Sequence, residues 1–175
     1  MFAMQVEVKI SNIVKQEDIQ AVVNSANANL RLGSGVAGAI HGAAGIKLER
    51  YCEQFAPLGF GKAIITPAFN LPNEFVIHTR AANYLLDDNA ETVLVECLNA
   101  VFALANENSI TSIAIPAIGT GVFKFPLELC ASITAKAIKA YAGGSVQLVR
   151  ICVTDDTTQS VFLSALAGEG VQLAS

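Results

Sequence analysis

Short apolar runs alternate with longer segments of helical spacing along the chain. Residues 6–10, VEVKI, alternate with a period of two, which places Val6, Val8 and Ile10 on one face of a half-exposed strand. The other apolar runs are compact and mostly β-branched, as is typical of strands buried on both faces of a sheet. They are QAVVN (20–24), AIIT (63–66), EFVIHT (74–79), TSIAIPA (111–117) and VQLVRICVT (146–154). The pattern predicts about six strands.

Between these runs, apolar residues recur at three- and four-residue steps, which predicts helices. One helix is predicted over residues 89–106, with Asp88 and Glu91 as a capping box. Two more have marked ends: residues 126–141, with Pro126 as the first helical residue and Gly143-Gly144 after the end, and residues 157–167, with Asp156 as cap and Gly168 as end. Helices alternating with strands predict an α/β fold, a three-layer α/β/α sandwich around a mixed sheet, in one domain over residues 1–175.

Composition supports a folded domain and excludes several classes of protein. A chain of 175 residues with 53% hydrophobic and 15% charged residues is neither disordered nor a coiled coil. No apolar run reaches the roughly 18 residues of a membrane span, and the N-terminal residues alternate instead of forming a secretion leader. A net charge of −4 without a basic cluster argues against binding long nucleic acid. We therefore expect a soluble cytoplasmic protein with no membrane partner.

The cysteines do not predict a metal site. They are far apart, without a C-x-x-C pair or an adjacent histidine, and each has apolar neighbours. Such residues are typically small buried thiols in a reducing compartment. The four are Cys52, Cys97, Cys130 and Cys152.

One stretch has unusual chemistry: residues 24–45, NSANANLRLGSGVAGAIHGAAG, hold five glycines, three asparagines and no acidic side chain. Within it, GSGVAG (33–38) satisfies the G-x-G-x-x-G pattern of dinucleotide-binding Rossmann turns. In those turns the first glycine follows the strand at once, and an acidic residue ends the next strand. Here eight residues separate Asn24 from Gly33, and Glu53 lies in a helical-looking segment. A nicotinamide site is disfavoured, and a purely structural role for the glycines remains an alternative.

A second glycine-rich loop, PAIGTGVFKFP (116–126), also leaves a buried strand and leads into a helix. Two such loops form the crevice in which ligands of α/β sheets bind. Backbone N–H groups at two facing helix starts would suit a diphosphate held with few cationic side chains. The pair of loops therefore favours a nucleotide ligand.

Four segments together carry a family resemblance. QAVVNSAN, GSGVAGAIHGAAG, GKAIITPAFNLPNEFVIHT and IPAIGTGVFKFP occur in the order and spacing of the macrodomain family, the ADP-ribose-binding modules and ADP-ribosyl hydrolases. The resemblance spans about residues 5–165. It implies a macrodomain fold and, as partner, ADP-ribose or an ADP-ribosylated protein or metabolite. We expect no cofactor and no metal.

The resemblance also implies roles for individual residues. Asn27 would bond the distal ribose, which suits an amide because it donates to and accepts from hydroxyl groups, and Asn24 would brace the loop. Phe123 would pack on the same ribose, and the hydrolase hypothesis makes Asn27, Gly35 and Phe123 the candidate catalytic residues. The two loops would hold the ribose and the diphosphate. The implied ligand-binding residues are Asn12, Ile13, Asn24, Asn27, Gly33, Ser34, Gly35, Val36, Ala37, Ile118, Gly119, Thr120, Gly121, Val122, Phe123 and Thr154.

Three positions depart from the family pattern. Asn12 stands where an aspartate usually accepts from the adenine amino group; its carbonyl could accept this bond more weakly, or the amide could read another base. Thr154 replaces an aromatic or asparagine beside adenine, which predicts weaker adenosine binding. Ala37 replaces the aspartate of one hydrolytic branch. Similar viral-type macrodomains reading GVAGA are nonetheless hydrolases, which suggests a water positioned by the diphosphate and the loop backbones. A hydrolase, a non-catalytic reader and a binder of a different nucleotide all remain.

Other polar residues are secondary candidates. We expect His41 to support packing near the ribose and His78 to make a structural hydrogen bond at a strand end. Arg80 either faces solvent or brings a charge to the mouth of the site. Lys124 is either a cation at the phosphate rim or a solvated surface residue.

Overall fold

A computed structural model describes residues 4–141 and 143–174. All six predicted strands are confirmed, with ends that differ by at most about two residues. The elements are β1 (Gln5–Ile10), β2 (Ala21–Ser25), α1 (Gly35–Ala44), α2 (Ile46–Cys52) followed by a 3₁₀ turn (Glu53–Phe55), β3 (Ala63–Pro67), β4 (Phe75–Thr79), α3 (Ala90–Glu107), β5 (Ser112–Ile115), α4 (Leu127–Ala140), β6 (Leu148–Val153) and α5 (Asp156–Gly168).

The strands form one mixed sheet in the order β1-β6-β5-β2-β4-β3. The pairs β1–β6, β6–β5, β5–β2 and β2–β4 are parallel, whereas β3 runs antiparallel to β4 at one edge. The prediction that residues 63–66 are buried on both faces is wrong, because Ala63, Ile64 and Ile65 are only half-buried. An edge strand has a neighbour on one side only, so its side chains are less covered.

Helices cover both faces of the sheet, which confirms the three-layer sandwich. Along β2 the side chains alternate, so that Ala21 and Val23 pack into the larger core with α3, α4 and α5. Val22 points to the opposite face and packs with the apolar side chains of α1 and α2. In the part of the chain described, no helix combines the length and the apolar composition of a membrane span.

The predicted helix starts need three corrections. Asn89, in the left-handed conformation at φ 56°, precedes α3 without a side-chain cap, so the capping box of Asp88 and Glu91 is wrong. Pro126 is the extended residue before α4 and not its first helical residue, and α4 ends at an extended Tyr141 without a glycine cap. Asp155, not Asp156, caps α5 by accepting from the amide of Thr158 over 2.7 Å. An N-cap requires an extended backbone, which Asp155 has at φ −152°.

A half-buried cation fixes the loop between β1 and β2. Arg150 on β6 donates to Glu7 on β1 over 2.8 Å and, through two nitrogens, to Asp18 in the loop over 2.7 Å. A third contact runs from Arg150 to Oε1 of the buried Gln16 over 3.0 Å. The hydrogen bond from Arg150 holds the pKa of Asp18 below its usual range. Since bidentate pairs of this kind are the stronger ones, the loop is held in one place.

Candidate functional site

A cleft opens at the carboxyl ends of the parallel strands, where the chain changes direction within the sheet. The helix after β2, α1, packs on one face of the sheet, and the helix after the neighbouring β5, α4, packs on the other. Ligands of α/β sheets bind at such switch points. The cleft has a narrow chamber of about 220 Å³ and a wide chamber of about 560 Å³. Both are lined by Gly35, Val36, Pro116, Cys152, Val153 and Thr154.

The glycine loop, residues 27–34, is followed by two glycines of α1 that are needed for different reasons. A Cβ atom at Gly38 would overlap the carbonyl oxygen of Gly33, so the loop packs directly on α1. At Gly35, by contrast, the backbone is left-handed at φ +58° and a Cβ atom would meet nothing within 4 Å. Gly38 therefore has the purely structural role that was the alternative explanation for these glycines. Gly35, by contrast, faces the open cleft.

The start of α1 presents unpaired backbone donors to this cleft. Ser34 precedes the helix without making a side-chain cap, and no acidic residue lies in the first turn. The amide of Gly38 bonds the carbonyl of Ser34, and the amides of Gly35, Val36 and Ala37 precede the first intrahelical bond. Together with the positive end of the helix dipole, these N–H groups favour an anion.

The second loop, residues 116–126, forms the opposite wall of the narrow chamber. Its shape is fixed by bonds from Thr120 Oγ1 to Ala117 O at 2.9 Å and from Phe125 N to Gly119 O at 2.9 Å. The amides of Gly121, Val122 and Phe123, which line the chamber, have no acceptor among the residues that the structure describes. This wall therefore also offers free backbone donors.

We predicted that the helices after both glycine-rich loops begin at the site and face each other. Of these two helices, only α1 begins at the cleft. The start of α4 at Leu127 is not among the residues that line either chamber. Lys124, in the left-handed conformation at φ 60°, turns the chain before α4 begins. The third wall comes instead from the start of α5, which contributes Thr158. The second loop thus acts through its own turns and not through a helix dipole.

No charged side chain lines either chamber among the described residues. The lining polar groups are hydroxyls, one carboxamide, one thiol and the backbone. Arg80 points elsewhere: its guanidinium lies 4.0 Å from the ring centre of Phe60 and donates to the carbonyl of Leu58 over 2.9 Å. Lys124 is exposed and does not line the cleft. Anion binding in this cleft would thus depend on backbone dipoles.

The side-chain carboxamide that lines the cleft is that of Asn12. It lies in the wide chamber, beside Ile10, Ser11 and Ile13. The Asn12 Oδ1 atom accepts from the amide of Val14 over 3.1 Å. One of the two lone pairs of the predicted acceptor for an adenine amino group is therefore engaged with the backbone.

The side-chain amides of Asn24 and Asn27, both predicted to bind the ligand or brace its loop, have other partners than expected. Asn27 does not line a chamber, because its Nδ2 donates to the carbonyl of Arg31 over 2.7 Å and its Oδ1 accepts from the Arg31 amide over 2.9 Å. Asn27, and not Asn24, therefore braces the glycine loop. Asn24 lies inside β2, fully buried, with its Nδ2 3.0 Å from His78 Nδ1 on the paired strand β4. Strand pairing holds Asn24 away from the loop.

The structure brings most of the predicted ligand-binding residues together. Those lining the cleft are Asn12, Ile13, Ser34, Gly35, Val36, Gly119, Thr120, Gly121, Val122, Phe123 and Thr154. Those lining neither chamber are Asn24, Asn27, Gly33, Ala37 and Ile118. Ala37 and Ile118 are buried in the core, so only their backbones are near the loops.

His41 is a residue of α1 and His78 lies on β4, and neither histidine lines the cleft. His78 Nε2 donates to Thr66 Oγ1 over 3.0 Å, since the Thr66 hydroxyl itself donates to the carbonyl of Pro67. Burial, and then the neighbouring His41, lower the pKa of His78 to about 3. His41 lines a separate pocket of about 220 Å³ with Glu49, and burial lowers its pKa. The predicted structural bond of His78 is thus present.

Sequence reasoning missed several lining residues, notably Ser25, Pro116, Ala117, Cys152 and Thr158. Most lie at the carboxyl ends of β2, β5 and β6, so the rule that ligands bind at strand ends could have identified them. All four cysteines are buried, as expected, but Cys152 also forms part of the cleft floor. Burial raises the pKa of its thiol, which keeps the group protonated at neutral pH.

Comparisons with known proteins agree with this architecture. The model of the Macro domain family matches residues 23–134. A Macro domain-containing protein of Lactiplantibacillus plantarum is 39% identical over 167 residues, which cover 93% of this chain and 97% of that protein. The ADP-ribose glycohydrolase MACROD2 of Xenopus laevis is 36% identical over 130 residues, which cover 73% of this chain but only 31% of that longer protein.

The fold is also shared with a solved structure. The Oceanobacillus iheyensis macrodomain with ADP matches with a TM-score of 0.88 and 30% identity, covering 93% of this chain and 90% of that one. A single-residue variant of the same macrodomain, solved with ADP-ribose (ADPR), matches with the same TM-score. Because the family match covers more than half of the sequence and the solved fold nearly all of it, this chain belongs to the macrodomain family.

Proposed function

We propose that the cleft binds ADP-ribose or a close derivative, and that residues 1–175 act as one macrodomain. The observation that carries this proposal is the pair of unpartnered amide sets, Gly35 to Ala37 and Gly121 to Phe123, beside a cleft lined by no charged side chain among the described residues. A diphosphate between them would receive donors from both walls. Binding of ADP and ADPR by the Oceanobacillus iheyensis macrodomain supports the same ligand class.

The two chambers suggest an orientation for this ligand. The wide chamber is lined by apolar side chains of Ile10, Ile13 and Ala39 and would take the base. The narrow chamber would take the diphosphate and the distal ribose, with Phe123 packing on the sugar. Asn27 would act on that ribose from the glycine loop, which its two bonds to Arg31 hold in shape.

We further propose that the protein hydrolyses ADP-ribosyl linkages of proteins or of O-acetyl-ADP-ribose. A water held against the diphosphate by the loop backbones would be the nucleophile, with Asn27, Gly35 and Phe123 placing the ribose. Linkages through a carboxylate need no strong acid, because a carboxylate leaves readily as an anion. The similarity to a protein named ADP-ribose glycohydrolase supports this activity.

A non-catalytic reader is the second candidate, and one observation favours it. The lining residues that the structure describes include no carboxylate and no imidazole, and Ala37 is buried where a related branch has aspartate. Among the described residues, the thiol of Cys152 is the one titratable side chain of the lining, and burial raises its pKa. A general base would have to come from the substrate itself.

Turnover and binding together decide between these functions. The wild-type protein is incubated with peptides mono-ADP-ribosylated on glutamate or aspartate and with O-acetyl-ADP-ribose, while calorimetry measures ADP-ribose binding. Turnover above a buffer control supports the hydrolase; binding without turnover supports the reader; absence of both refutes the proposal. Gly35→Val should abolish either signal, because its side chain would enter the cleft at a left-handed position. Gly42→Ala, an exposed position on the same helix, should retain it.

A further inference from the structure

The two halves of the glycine loop, residues 27–34, are held in different ways. In the first half, the side chain of Leu30 is buried in the core. In the second half, residues 31–34 are all exposed. The Asn27 carboxamide closes this half onto the Arg31 backbone, but Asn27 belongs to the same loop. Its two bonds therefore shape the second half without attaching it to the rest of the fold.

One side chain from outside the loop holds its second half. The carboxylate of the half-buried Glu49 on α2 accepts from the amide of Leu32 over 2.7 Å. Where the loop enters α1, the amide of Gly38 bonds the carbonyl of Ser34. Within the described chain, no other hydrogen bond joins residues 31–34 to a residue outside the loop. Because charge-assisted bonds are the stronger ones, Glu49 is the main polar attachment of this segment.

Packing does not replace this attachment. Leu32, His41 of α1 and Glu49 of α2 line a common pocket of about 220 Å³, so the loop does not pack tightly on the two helices there. The Leu32 side chain is itself 57% exposed. A segment with few buried contacts opens at little cost in free energy. Without the bond to Glu49, residues 31–34 would therefore sample several positions.

The second half of the loop ends in a wall of the candidate site, since Ser34 lines the narrow chamber. Building on the proposed function, in which this chamber takes the diphosphate and the distal ribose, we propose that Glu49 is a positioning residue for ADP-ribose. By holding Leu32, it keeps Ser34 in the arrangement that receives the ribose end of the ligand. Ordering a loop in its bound shape raises affinity, because less conformational entropy is lost on binding.

Calorimetric titration with ADP-ribose and with ADP tests this role in wild type, Glu49→Gln, Glu49→Ala and Glu53→Ala. Glu49→Ala should bind ADP-ribose about five- to tenfold more weakly, whereas its affinity for ADP should change less than about twofold, because the amides of α1 and of the second loop stay in place. Glu49→Gln keeps an acceptor oxygen for Leu32 and should retain the wild-type ratio of the two dissociation constants. Glu53→Ala, at an exposed position of the 3₁₀ turn, removes the same charge and should also retain this ratio.

The sign of the effect separates the attachment from electrostatics. Removing a negative charge should by itself favour an anionic ligand, so weaker binding to Glu49→Ala cannot come from the lost charge. A merely structural role of Glu49 would weaken both nucleotides equally and would not move their ratio.

Hydrogen exchange of the Leu32 amide tests the attachment without ligand. It should be slower in wild type and Glu49→Gln than in Glu49→Ala. Equal exchange in wild type and Glu49→Ala, or a ratio of dissociation constants that Glu49→Ala leaves unchanged, would overturn the role of Glu49. If the wild-type protein binds neither nucleotide although Glu49 protects the Leu32 amide, the proposed function itself fails, and the role of Glu49 in binding fails with it.

Discussion

The side-chain nitrogen of Gln16 lies 2.7 Å from the carbonyl oxygen of Asn12, while Oε1 of the same Gln16 accepts from Arg150 over 3.0 Å. Through this buried carboxamide, the backbone at the wide chamber is joined to the ion pairs that Arg150 makes with Glu7 and Asp18. The position of Asn12 thus depends on a residue of β6 that is far away in sequence.

Gln16→Ala should lower the free energy of unfolding by about 1–3 kcal/mol, because it removes a buried carboxamide that bonds both the half-buried Arg150 guanidinium and the Asn12 carbonyl. It should also weaken nucleotide binding, since Asn12 loses its support. Urea denaturation and calorimetry measure the two effects. Gln54→Ala is the matched control, since the exposed Gln54 bonds only the local carbonyl of Tyr51 within the described part of the chain and should change stability by less than about 0.5 kcal/mol. Equal effects of the two variants would contradict this role of Gln16.

Two glycines of α1 should respond in opposite ways to the same substitution. Gly38→Ala should destabilise the fold by roughly 1–3 kcal/mol and displace the glycine loop, since its Cβ atom would overlap the carbonyl of Gly33. Gly42→Ala should stabilise it by about 0.5–1 kcal/mol, because Gly42 is exposed and its added methyl group meets nothing within 4 Å. Thermal denaturation of both variants tests the pair. Similar shifts in Tm would refute the close packing of loop and helix.

Asn27→Ala should weaken ADP-ribose binding by roughly 1–3 kcal/mol, because it removes an amide that would pair with the ribose. The same amide holds the loop in shape through its two bonds to the Arg31 backbone, which the variant also loses. Calorimetry on the variant gives the change in affinity. Asn29→Ala is the control in the same loop, and this exposed residue should leave the affinity unchanged. If Asn27→Ala binds like wild type, the ribose lies elsewhere.

Acid should destabilise the protein through His78. In the folded state its pKa is lowered to about 3, whereas an unfolded histidine titrates near the ordinary 6.5. Between these values the unfolded state binds a proton that the native state does not, so stability is lost as the pH falls. The loss should approach about 1.4 kcal/mol per pH unit below pH 6.5.

Measuring the free energy of unfolding between pH 7.5 and 4.5 checks this prediction in wild type and His78→Gln. The variant should lose less stability on acidification, although His41, whose pKa is also lowered, should leave part of the slope. Parallel curves for the two proteins would show that His78 does not carry the effect.

Sequence pattern predicted the strands because each is a compact apolar run whose burial leaves little choice of structure. It misplaced helix starts where neighbouring residues are chemically alike. Asp155 and Asp156 can both cap a helix, and only the backbone angles show that Asp155 does so. At α3, the left-handed Asn89 replaces the capping box that Asp88 and Glu91 suggested.

The walls of the candidate site were predictable from their glycines, but the partners of individual side chains were not. Asn24 and Asn27 lie in one short motif, yet β4 pairing engages the first and the Arg31 backbone engages the second. The place of Cys152 on the cleft floor depends on the neighbouring strands and loops. Such contacts depend on the assembled sheet, which the local sequence does not describe.

The central claim is that free backbone amides of two loops hold the diphosphate, and amide NMR shifts during an ADP-ribose titration test it most directly. We expect saturable, large shifts for Gly35, Val36, Gly121, Val122 and Phe123, with small shifts for residues in the centre of α3. Unchanged spectra at millimolar ADP-ribose, or shifts confined to the pocket of His41 and Glu49, would contradict it.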